Sequence, residues 1–264
     1  MSIEWLLVTD VDDTLLGDDE ALTRLSARLE SVRAKVVVGL NSSRPIASLR
    51  RTLIEYPHLP QPDYLIGALG TEIAEAKSDR SLGEYGEQLR DGWDRDRIAA
   101  VLDHLGFEPH ADEYQTTFKV SYNVPGEENY RRVLSELDSL ALRFKVIYSS
   151  SINLDIIPPN AGKGRATDFL REWLGLPADR VVVAGDSAND REMFAPRFKG
   201  IVVANADVVL TALDGPTIYH TRSSRAAGVL EGLQHWRIIP DDHLSPEEKF
   251  TCRRKEENNI SARS

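Results

Sequence analysis

The chain has 264 residues, of which 41% are hydrophobic and 28% are charged, and its formal net charge is −10. The length is enough for one large domain or two smaller ones, and the negative charge argues against a general nucleic-acid binder. The single cysteine, Cys252, excludes an internal disulfide and a cysteine-based metal cluster. We see no signal peptide and no apolar run long enough to span a membrane, so we expect a cytoplasmic location.

The first predicted element is an apolar strand that ends in closely spaced acids. Trp-Leu-Leu-Val at 5–8 is followed by Asp10, Asp12 and Thr14 in the pattern D-x-D-x-T. Open α/β sheets bind ligands at the carboxyl ends of their strands, and crowded carboxylates need a cation or a shared proton. The pattern suits a nucleophilic aspartate, an acid/base aspartate and Mg²⁺. Taken alone, it fits an acidic turn between a strand and a helix equally well.

Strands and helices then alternate along the chain. A helix is predicted from about residue 20, strands at 36–40 and 64–68, and a second helix between these strands. This alternation predicts a parallel, doubly wound sheet. Ser42 lies where the second strand ends and the second helix begins, a position that suits a phosphate oxygen. An ordinary helix N-cap is the alternative for Ser42.

The sequence pattern changes at residue 79. Residues 79 to about 92 are polar and contain glycine, which predicts a linker or irregular surface segment. Helix, strand, helix and two strands follow, with alternating apolar and polar residues typical of an open-faced antiparallel sheet. We therefore predict an α+β domain inserted at 79–157, a core formed by 1–78 and 158–240, and a polar, flexible tail at 241–264.

The returning chain contains a second acidic strand end. A predicted helix begins at Lys163, although lysine usually favours the last turn of a helix, so the residue either serves another purpose or is an exposed surface lysine. The strand at 180–184 ends in Gly-Asp-Ser-Ala-Asn-Asp at 185–190. Short strands at 201–203 and 218–220 and a helix at 226–236 complete the predicted core.

Four segments at strand ends or helix starts carry a resemblance to a known family. They are D-V-D-D-T at 10–14, N-S-S-R at 41–44, Gly-Lys at 162–163 and G-D-S-A-N-D at 185–190. In this order they resemble the four motifs of the haloacid-dehalogenase-type (HAD) phosphotransferases. The insertion between the second and third motifs resembles the cap of the Cof-type subfamily. The resemblance implies an α/β fold, with a HAD-like Rossmannoid parallel sheet and an inserted α+β cap of the C2B type.

Within that superfamily, residues 5–236 resemble the sucrose-phosphate phosphatases and the mannosylfructose-phosphate phosphatases. The matching segments include Pro-Asp-Tyr at 62–64, Gly-Thr-Glu at 70–72, Lys-Val-Ser-Tyr at 119–122, Leu-Asp-Ile-Ile-Pro at 154–158 and Gly-Ile-Val-Val-Ala-Asn-Ala at 200–206. The segment at 228–236 favours the mannosylfructose branch. The second motif departs from the family, because Ser42 replaces the commoner threonine and Ser43 replaces the usual glycine.

The resemblance implies Mg²⁺-dependent hydrolysis of a disaccharide phosphate, with sucrose 6-phosphate as the expected substrate. Asp10 would attack phosphorus to form an aspartyl-phosphate, and Asp12 would act as general acid and then general base. The carboxylates of Asp10 and Asp186 and the backbone carbonyl of Asp12 would bind Mg²⁺. Lys163 and Ser42 would hold phosphate oxygens. The residues expected to support the phosphate or the metal ligands are Thr14, Ser43, Asn189 and Asp190.

The inserted domain is expected to recognise the sugar. The candidate sugar-binding residues are Glu72, Lys119, Asp155 and Asn205, and a solvated strand face is the alternative for each. The expected partners are a phosphorylated disaccharide and the synthase that supplies it, with the protein as a monomer and no nucleic acid or membrane involved.

Other functions remain open. The alternative substrates are mannosylfructose phosphate or another small sugar phosphate, and a phosphomutase or sugar-nucleotide enzyme is a weaker candidate. A regulatory or binding protein on a HAD fold is the non-enzymatic alternative. The presence of all four motif residues, Asp10, Asp12, Lys163 and Asp186, argues against it.

Overall fold

The computed structural model describes residues 3–78 and 80–241, so most of the predicted tail lies outside the described residues. The elements before the predicted insertion are β1 (Trp5–Thr9), α1 (Asp19–Glu30), β2 (Val36–Asn41), α2 (Ile46–Glu55), β3 (Tyr64–Gly67) and β4 (Glu72–Glu75). The inserted segment, residues 80–157, contains α3 (Gly83–Leu89), α4 (Arg95–His104), β5 (Glu108–Pro109), β6 (Val120–Asn123), α5 (Glu127–Asp138), β7 (Lys145–Ser149) and β8 (Asn153–Ile157). The returning chain adds α6 (Lys163–Trp173), β9 (Val181–Gly185), β10 (Lys199–Val202), α7 (Val208–Thr211), β11 (Ile218–His220) and α8 (Arg225–His235).

The main sheet has seven strands in the order β11-β10-β9-β1-β2-β3-β4. All neighbouring strands are parallel except β3 and β4, which are antiparallel, so the predicted α/β fold class is confirmed. The edge strand β4 was not predicted. The strand order reverses at β1, which lies between β2 and β9. The carboxyl ends of these three strands therefore meet at the topological switch point, where such sheets bind ligands.

Both faces of the main sheet are covered, which explains the continuous apolar composition of β1 and β9. Leu7 of β1 packs in one hydrophobic cluster with residues of α1 and α8. Leu6 and Val8 point to the opposite face and pack with residues of α6. In the described part of the chain, no helix is both long enough and apolar enough to cross a membrane.

The inserted segment contains a second, antiparallel sheet in the order β5-β6-β8-β7. Alternate residues of this sheet, such as Val120 and Ile156, form their own hydrophobic cluster with residues of α4 and α5. The two helices cover one face of the sheet, which explains the predicted alternation of apolar and polar residues.

Residues 83–89 form helix α3, so the predicted irregular segment at 79–92 is wrong over this part. Leu82, Tyr85 and Leu89 pack with the cluster under the main sheet, and the Tyr85 hydroxyl donates a hydrogen bond to the Gly70 carbonyl oxygen at 2.6 Å. Polar residues and glycines obscured this spacing in the sequence. Because α3 packs with the main sheet, the exact boundary of an inserted domain stays a prediction.

Candidate active site

A buried lysine joins two of the predicted acidic segments. Asp10 follows β1 directly, and its backbone N–H donates to the Ala184 carbonyl of β9 at 3.0 Å. The Lys163 ammonium donates to Asp10 Oδ1 at 2.7 Å and to Asp190 Oδ1 at 2.6 Å. Lys163 is 2% exposed and Asp10 is 5% exposed. The structure therefore brings three sequence-predicted site residues into direct contact.

The start of α6 places this lysine inside the protein. Gly162 precedes the helix with a φ of 134°, and the Asn41 side-chain amide donates to the Lys163 carbonyl at 3.1 Å. A Cβ atom on Gly164 would lie 2.1 Å from the Glu192 carbonyl oxygen. The absence of that side chain lets α6 approach the 3₁₀ helix Ala188–Met193, which carries Asp190. The unusual position of a lysine in a first helical turn follows from its pairing with these carboxylates.

Asp190 holds the backbone of the second acidic strand end in place. Its Oδ2 atom accepts hydrogen bonds from the backbone N–H groups of Asp186 and Ser187, at 3.1 Å and 3.2 Å. Its Oδ1 atom accepts from Lys163. The Thr14 hydroxyl donates to Asp186 Oδ1 at 2.9 Å. Both oxygens of Asp190 are thus engaged, whereas these contacts use only the Oδ1 atom of Asp10 and of Asp186.

The site has an excess of negative charge. With all groups ionised, the three carboxylates outnumber the one ammonium. Burial raises the pKa of Asp10 to about 8, with Asp190 adding to the shift and Lys163 opposing it. Burial also raises the pKa of Asp186 to about 6, again with a contribution from Asp190. For Lys163, burial alone would lower the pKa, but the two carboxylates outweigh burial and raise it.

The residues at this site fit a divalent cation. One carboxylate oxygen from each of Asp10, Asp186 and Asp190 lies within 4.8 Å of the others. The Asn189 side-chain oxygen is buried and has no hydrogen-bond partner among the described residues. Oxygen donors of this kind are the ligands that Mg²⁺ prefers. The predicted contribution of the Asp12 carbonyl to a metal site stays a prediction.

The loop at residues 42–44 is held by backbone hydrogen bonds from a strained turn after β3. The Ser42 and Arg44 carbonyls accept hydrogen bonds from the backbone N–H groups of Leu69 and Ala68, at 3.2 Å and 2.7 Å. Ala68 and Leu69 have φ values of 50° and 59°, in the left-handed region that non-glycine residues seldom adopt. Ser43 does not adopt this conformation, so no positive φ requires the glycine that the family usually carries there.

Arg44 is a site residue that sequence reasoning missed. Its guanidinium forms an ion pair with Asp12 and donates to the Thr52 hydroxyl at 3.1 Å. The side chains of Arg44 and Asp12 are 36% and 40% exposed, so the ion pair lies at the mouth of the site. The signal available in the sequence was the position of Arg44 two residues after Ser42.

Glu72 and the pair Lys119 and Asp155, all predicted to bind sugar, lie in two different places. Glu72 accepts a hydrogen bond from the Ile46 backbone N–H at 2.9 Å and also lines a cleft between the inserted segment and the core. Lys119 and Asp155 form an ion pair at 3.2 Å, and Lys119 is only 3% exposed. The alternation of the sequence indicates a polar strand face for Lys119, but its ammonium donates to the Ser43 carbonyl of the 42–44 loop.

The cleft that Glu72 lines has a volume of about 570 Å³. It begins at Pro45 and Ala47, directly after the 42–44 loop. The residues that the inserted segment contributes are Arg95, Asp112, Glu113, Gln115, Thr116 and Thr117. None of these six was predicted, because they lie on loops and helix ends without a recognisable motif.

Asn205 connects two segments near Asp12. Its side-chain amide donates to the Asp13 carbonyl at 2.8 Å, and its side-chain oxygen accepts from the Arg225 backbone N–H at 2.9 Å. Arg225 also forms an ion pair with Asp13 at 3.1 Å. These contacts make Asn205 an anchor of the turn after Asp12, and its expected contact with the sugar stays a prediction.

Comparisons with known proteins show what this chain is similar to. The family model described as "Sucrose-6F-phosphate phosphohydrolase" matches residues 3–237. The mannosylfructose-phosphate phosphatase of Agrobacterium fabrum is 34% identical over 245 residues, which cover 89% of this chain and 98% of that protein. Sucrose-phosphatase 1 of Nicotiana tabacum is 29% identical over 255 residues, covering 89% of this chain but 60% of the plant protein. Among solved structures, this chain is similar to the sucrose-phosphatase from Synechocystis sp. PCC6803 in complex with sucrose and phosphate, with a TM-score of 0.81 and 27% identity. The match covers 90% of this chain and 100% of that one.

The anchoring role of Asn205 predicts a specific kinetic effect. The Asn205→Ala variant loses both hydrogen bonds to the turn after Asp12, so we expect kcat to fall about tenfold with little change in KM. Steady-state kinetics on a sugar phosphate and on p-nitrophenyl phosphate measure this. A rise in KM for the sugar phosphate alone would instead show that Asn205 contacts the sugar.

The raised pKa values predict that cation binding depends on pH. Asp10 and Asp186 carry protons below about pH 8 and pH 6, respectively, and must lose them to bind a cation. The affinity for Mg²⁺ should therefore rise about tenfold or more between pH 6 and pH 8, as measured by isothermal titration calorimetry. Asp186→Asn should bind Mg²⁺ weakly at both pH values. An affinity of the intact protein that does not change with pH would contradict this assignment.

Proposed function

The chain belongs to the sucrose-6F-phosphate phosphohydrolase family of the HAD superfamily, and we propose that it hydrolyses sucrose 6-phosphate to sucrose and phosphate. Its family makes it a phosphoric monoester hydrolase that acts on sugar phosphates. The observation that carries the proposed chemistry is the buried Lys163 between Asp10 and Asp190 at the carboxyl end of the central strand. A purely regulatory protein would have no need of this costly arrangement.

Mannosylfructose phosphate is the second candidate substrate. The 34% identity to the Agrobacterium enzyme extends over nearly the whole of that protein. Both candidates are disaccharide phosphates, so they require the same phosphate chemistry and differ in the contacts made by the sugar.

The proposed reaction uses two aspartates in different environments. Asp10, buried beside Lys163, attacks phosphorus through a carboxylate oxygen, and the ester bond to the sugar oxygen breaks as the aspartyl-phosphate forms. Asp12, at the mouth of the site, donates a proton to the departing sugar oxygen. It then takes a proton from the water that attacks the aspartyl-phosphate and releases phosphate.

The remaining residues bind and stabilise the phosphoryl group. Lys163 and the Ser42 hydroxyl are placed to hold its oxygens, which spreads the negative charge of the transition state. When Mg²⁺ is bound by Asp10 and Asp186, it keeps both carboxylates ionised and offsets the charge of the phosphate. Asn189 and Thr14 support this site, the first through its unpaired oxygen and the second through Asp186.

We propose that the sugar ring farther from the phosphate binds in the cleft beside the 42–44 loop. The cleft brings Arg95, Asp112 and Glu72 around one space, and charged and polar groups of this kind bind sugar hydroxyls. The buried Thr116 hydroxyl has no hydrogen-bond partner among the described residues, so it too is available to the sugar. Contacts to the far ring then contribute binding energy to the reaction at phosphorus.

The proposed substrate implies a place in a reaction sequence. A disaccharide phosphate arises when a glycosyl group is transferred to a sugar phosphate, so a synthase of that class must act before this enzyme. We propose that the protein works as a monomer in the cytoplasm, which the low cysteine content and net charge of −10 support.

The nucleophile assignment predicts loss of turnover in Asp10→Asn. The amide is a poor nucleophile, so the rate of phosphate release should fall about 10⁴-fold or more. Circular dichroism and thermal unfolding should show an intact fold. Asp19→Asn, an acid in the exposed first turn of α1, is the matched control and should keep full activity. Near-normal turnover by folded Asp10→Asn would exclude Asp10 as the nucleophile.

The cleft predicts a preference for disaccharide phosphates. We expect kcat/KM for sucrose 6-phosphate or mannosylfructose phosphate to exceed that for glucose 6-phosphate and fructose 6-phosphate by about tenfold or more, because hexose phosphates lack the far ring. In Asp112→Asn this preference should shrink, with p-nitrophenyl phosphate hydrolysis unchanged.

Asp138→Asn is the control for the charge change, since Asp138 is exposed at the end of α5 and does not line the cleft. A wild-type protein without preference for either disaccharide phosphate would disprove the proposed substrate class. Equal losses on all substrates in Asp112→Asn would show that Asp112 does not contact the far ring.

A further inference from the structure

A buried lysine connects the inserted segment to the 42–44 loop. Lys119 precedes β6, and its ammonium forms an ion pair with Asp155 of β8 at 3.2 Å. The Ser121 hydroxyl donates to the same oxygen of Asp155 and fixes its position. The Lys119 ammonium also donates to the Ser43 carbonyl at 3.2 Å. A buried ammonium is costly unless its donors are satisfied, so this contact is a specific feature of the packing.

The Ser43 carbonyl belongs to the peptide group that orients Ser42. The carbonyl of Ser43 and the N–H of Arg44 lie in one plane, because a peptide bond does not rotate freely. The Arg44 N–H donates to the Ser42 Oγ atom at 3.1 Å. Lys119 therefore holds one end of a rigid group whose other end holds the Ser42 side chain. With Oγ accepting from Arg44, the Ser42 hydroxyl keeps its own proton for a ligand oxygen.

The core holds the Ser42 and Arg44 carbonyls of the loop, whereas the inserted segment holds the Ser43 carbonyl. The Ser42 and Arg44 carbonyls accept hydrogen bonds from the turn after β3, within the core. The intervening Ser43 carbonyl accepts its hydrogen bond from Lys119. Correct orientation of the Ser42 hydroxyl thus depends on the inserted segment being seated on the core.

We propose that Lys119 is a positioning residue for phosphate binding, which acts through the Ser43–Arg44 peptide on the Ser42 hydroxyl. This role differs from the sugar contact expected from the sequence, and it couples seating of the inserted segment to assembly of the phosphate site. It rests on the proposed function only in that Ser42 binds a phosphate oxygen. The effect of losing Lys119 should therefore not depend on the sugar.

The test measures binding of inorganic orthophosphate by calorimetry in Mg²⁺-containing buffer, together with steady-state kinetics. Lys119→Met should raise the Kd for orthophosphate about tenfold, as expected for one misplaced hydrogen bond to a charged group. It should lower kcat/KM by similar factors for p-nitrophenyl phosphate and for the preferred sugar phosphate. Lys119→Arg, which retains the charge and donor groups, should recover part of both losses.

Arg51→Met is the matched control. Arg51 also joins the core to the inserted segment, through an ion pair with Glu113, but this pair is exposed and makes no contact with the 42–44 loop. We expect orthophosphate affinity of the wild-type value in Arg51→Met. An equal loss in this variant would show that any weakened contact between core and inserted segment has the same effect, which would overturn the specific role of Lys119.

A double-mutant cycle separates positioning from general support of the fold. If Lys119 acts through Ser42, Lys119→Met should cost little further orthophosphate affinity in a Ser42→Ala background. Additive losses would overturn the proposal. An unchanged orthophosphate Kd in Lys119→Met, with a loss on the sugar phosphate alone, would also overturn it and assign Lys119 to the sugar.

Two further outcomes are distinguishable. Should Lys119→Met fail to fold, Asp155→Asn removes the charge that holds the ammonium and supports the same comparisons. Should the wild-type protein hydrolyse no sugar phosphate, yet lose orthophosphate affinity on the Lys119 substitution, the proposed substrate fails and the positioning role stands.

Discussion

The structure depends above all on the burial of one ammonium between two carboxylates. Lys163 is placed between Asp10 and Asp190 inside the protein, where any of the three alone would be strongly destabilising. Satisfying this charge requires β1, α6 and the 3₁₀ helix Ala188–Met193 to converge within hydrogen-bond distance. Gly164 permits that approach because it has no side chain. With Asp186 beside them, the carboxylates outnumber the ammonium, so the same arrangement that fixes the fold creates a demand for a cation.

The parts of the site that lie on sequence motifs were predictable. Asp10, Asp186 and Lys163 stand at strand ends or a helix start, and the order of parallel strands brings such positions to one edge of the sheet. Where a side chain binds partners that are distant in the sequence, its role could not be predicted in this way. Asn205 belongs to a matching segment, but its side chain is occupied by Asp13 and Arg225, which lie 192 and 20 residues away in the sequence.

The fold shows the same division between local pattern and tertiary contact. Continuous apolar strands and regular helices were recognisable, because burial on both faces of a parallel sheet determines their composition. Helix α3 was missed, since its stability comes from packing Tyr85 and Leu89 under the main sheet and not from a clear apolar period. For Lys119, the local pattern was clear but indicated the wrong environment. The alternation of the sequence around it indicates an exposed side chain, but Lys119 is buried between Asp155 and the Ser43 carbonyl of the core.

Residues 42–47 connect the proposed phosphate site to the proposed sugar-binding cleft. Ser42 is the proposed phosphate contact, Arg44 pairs with the proposed acid/base residue Asp12, and Pro45 and Ala47 form the start of the cleft. The core holds this stretch through the turn after β3, and the inserted segment holds it through Lys119. A sugar bound in the cleft would contact the core and the inserted segment at once and favour the arrangement in which the two are in contact. Because the Ser42 hydroxyl is oriented only in that arrangement, recognition of the far ring and activation of the phosphate site would draw on the same contacts.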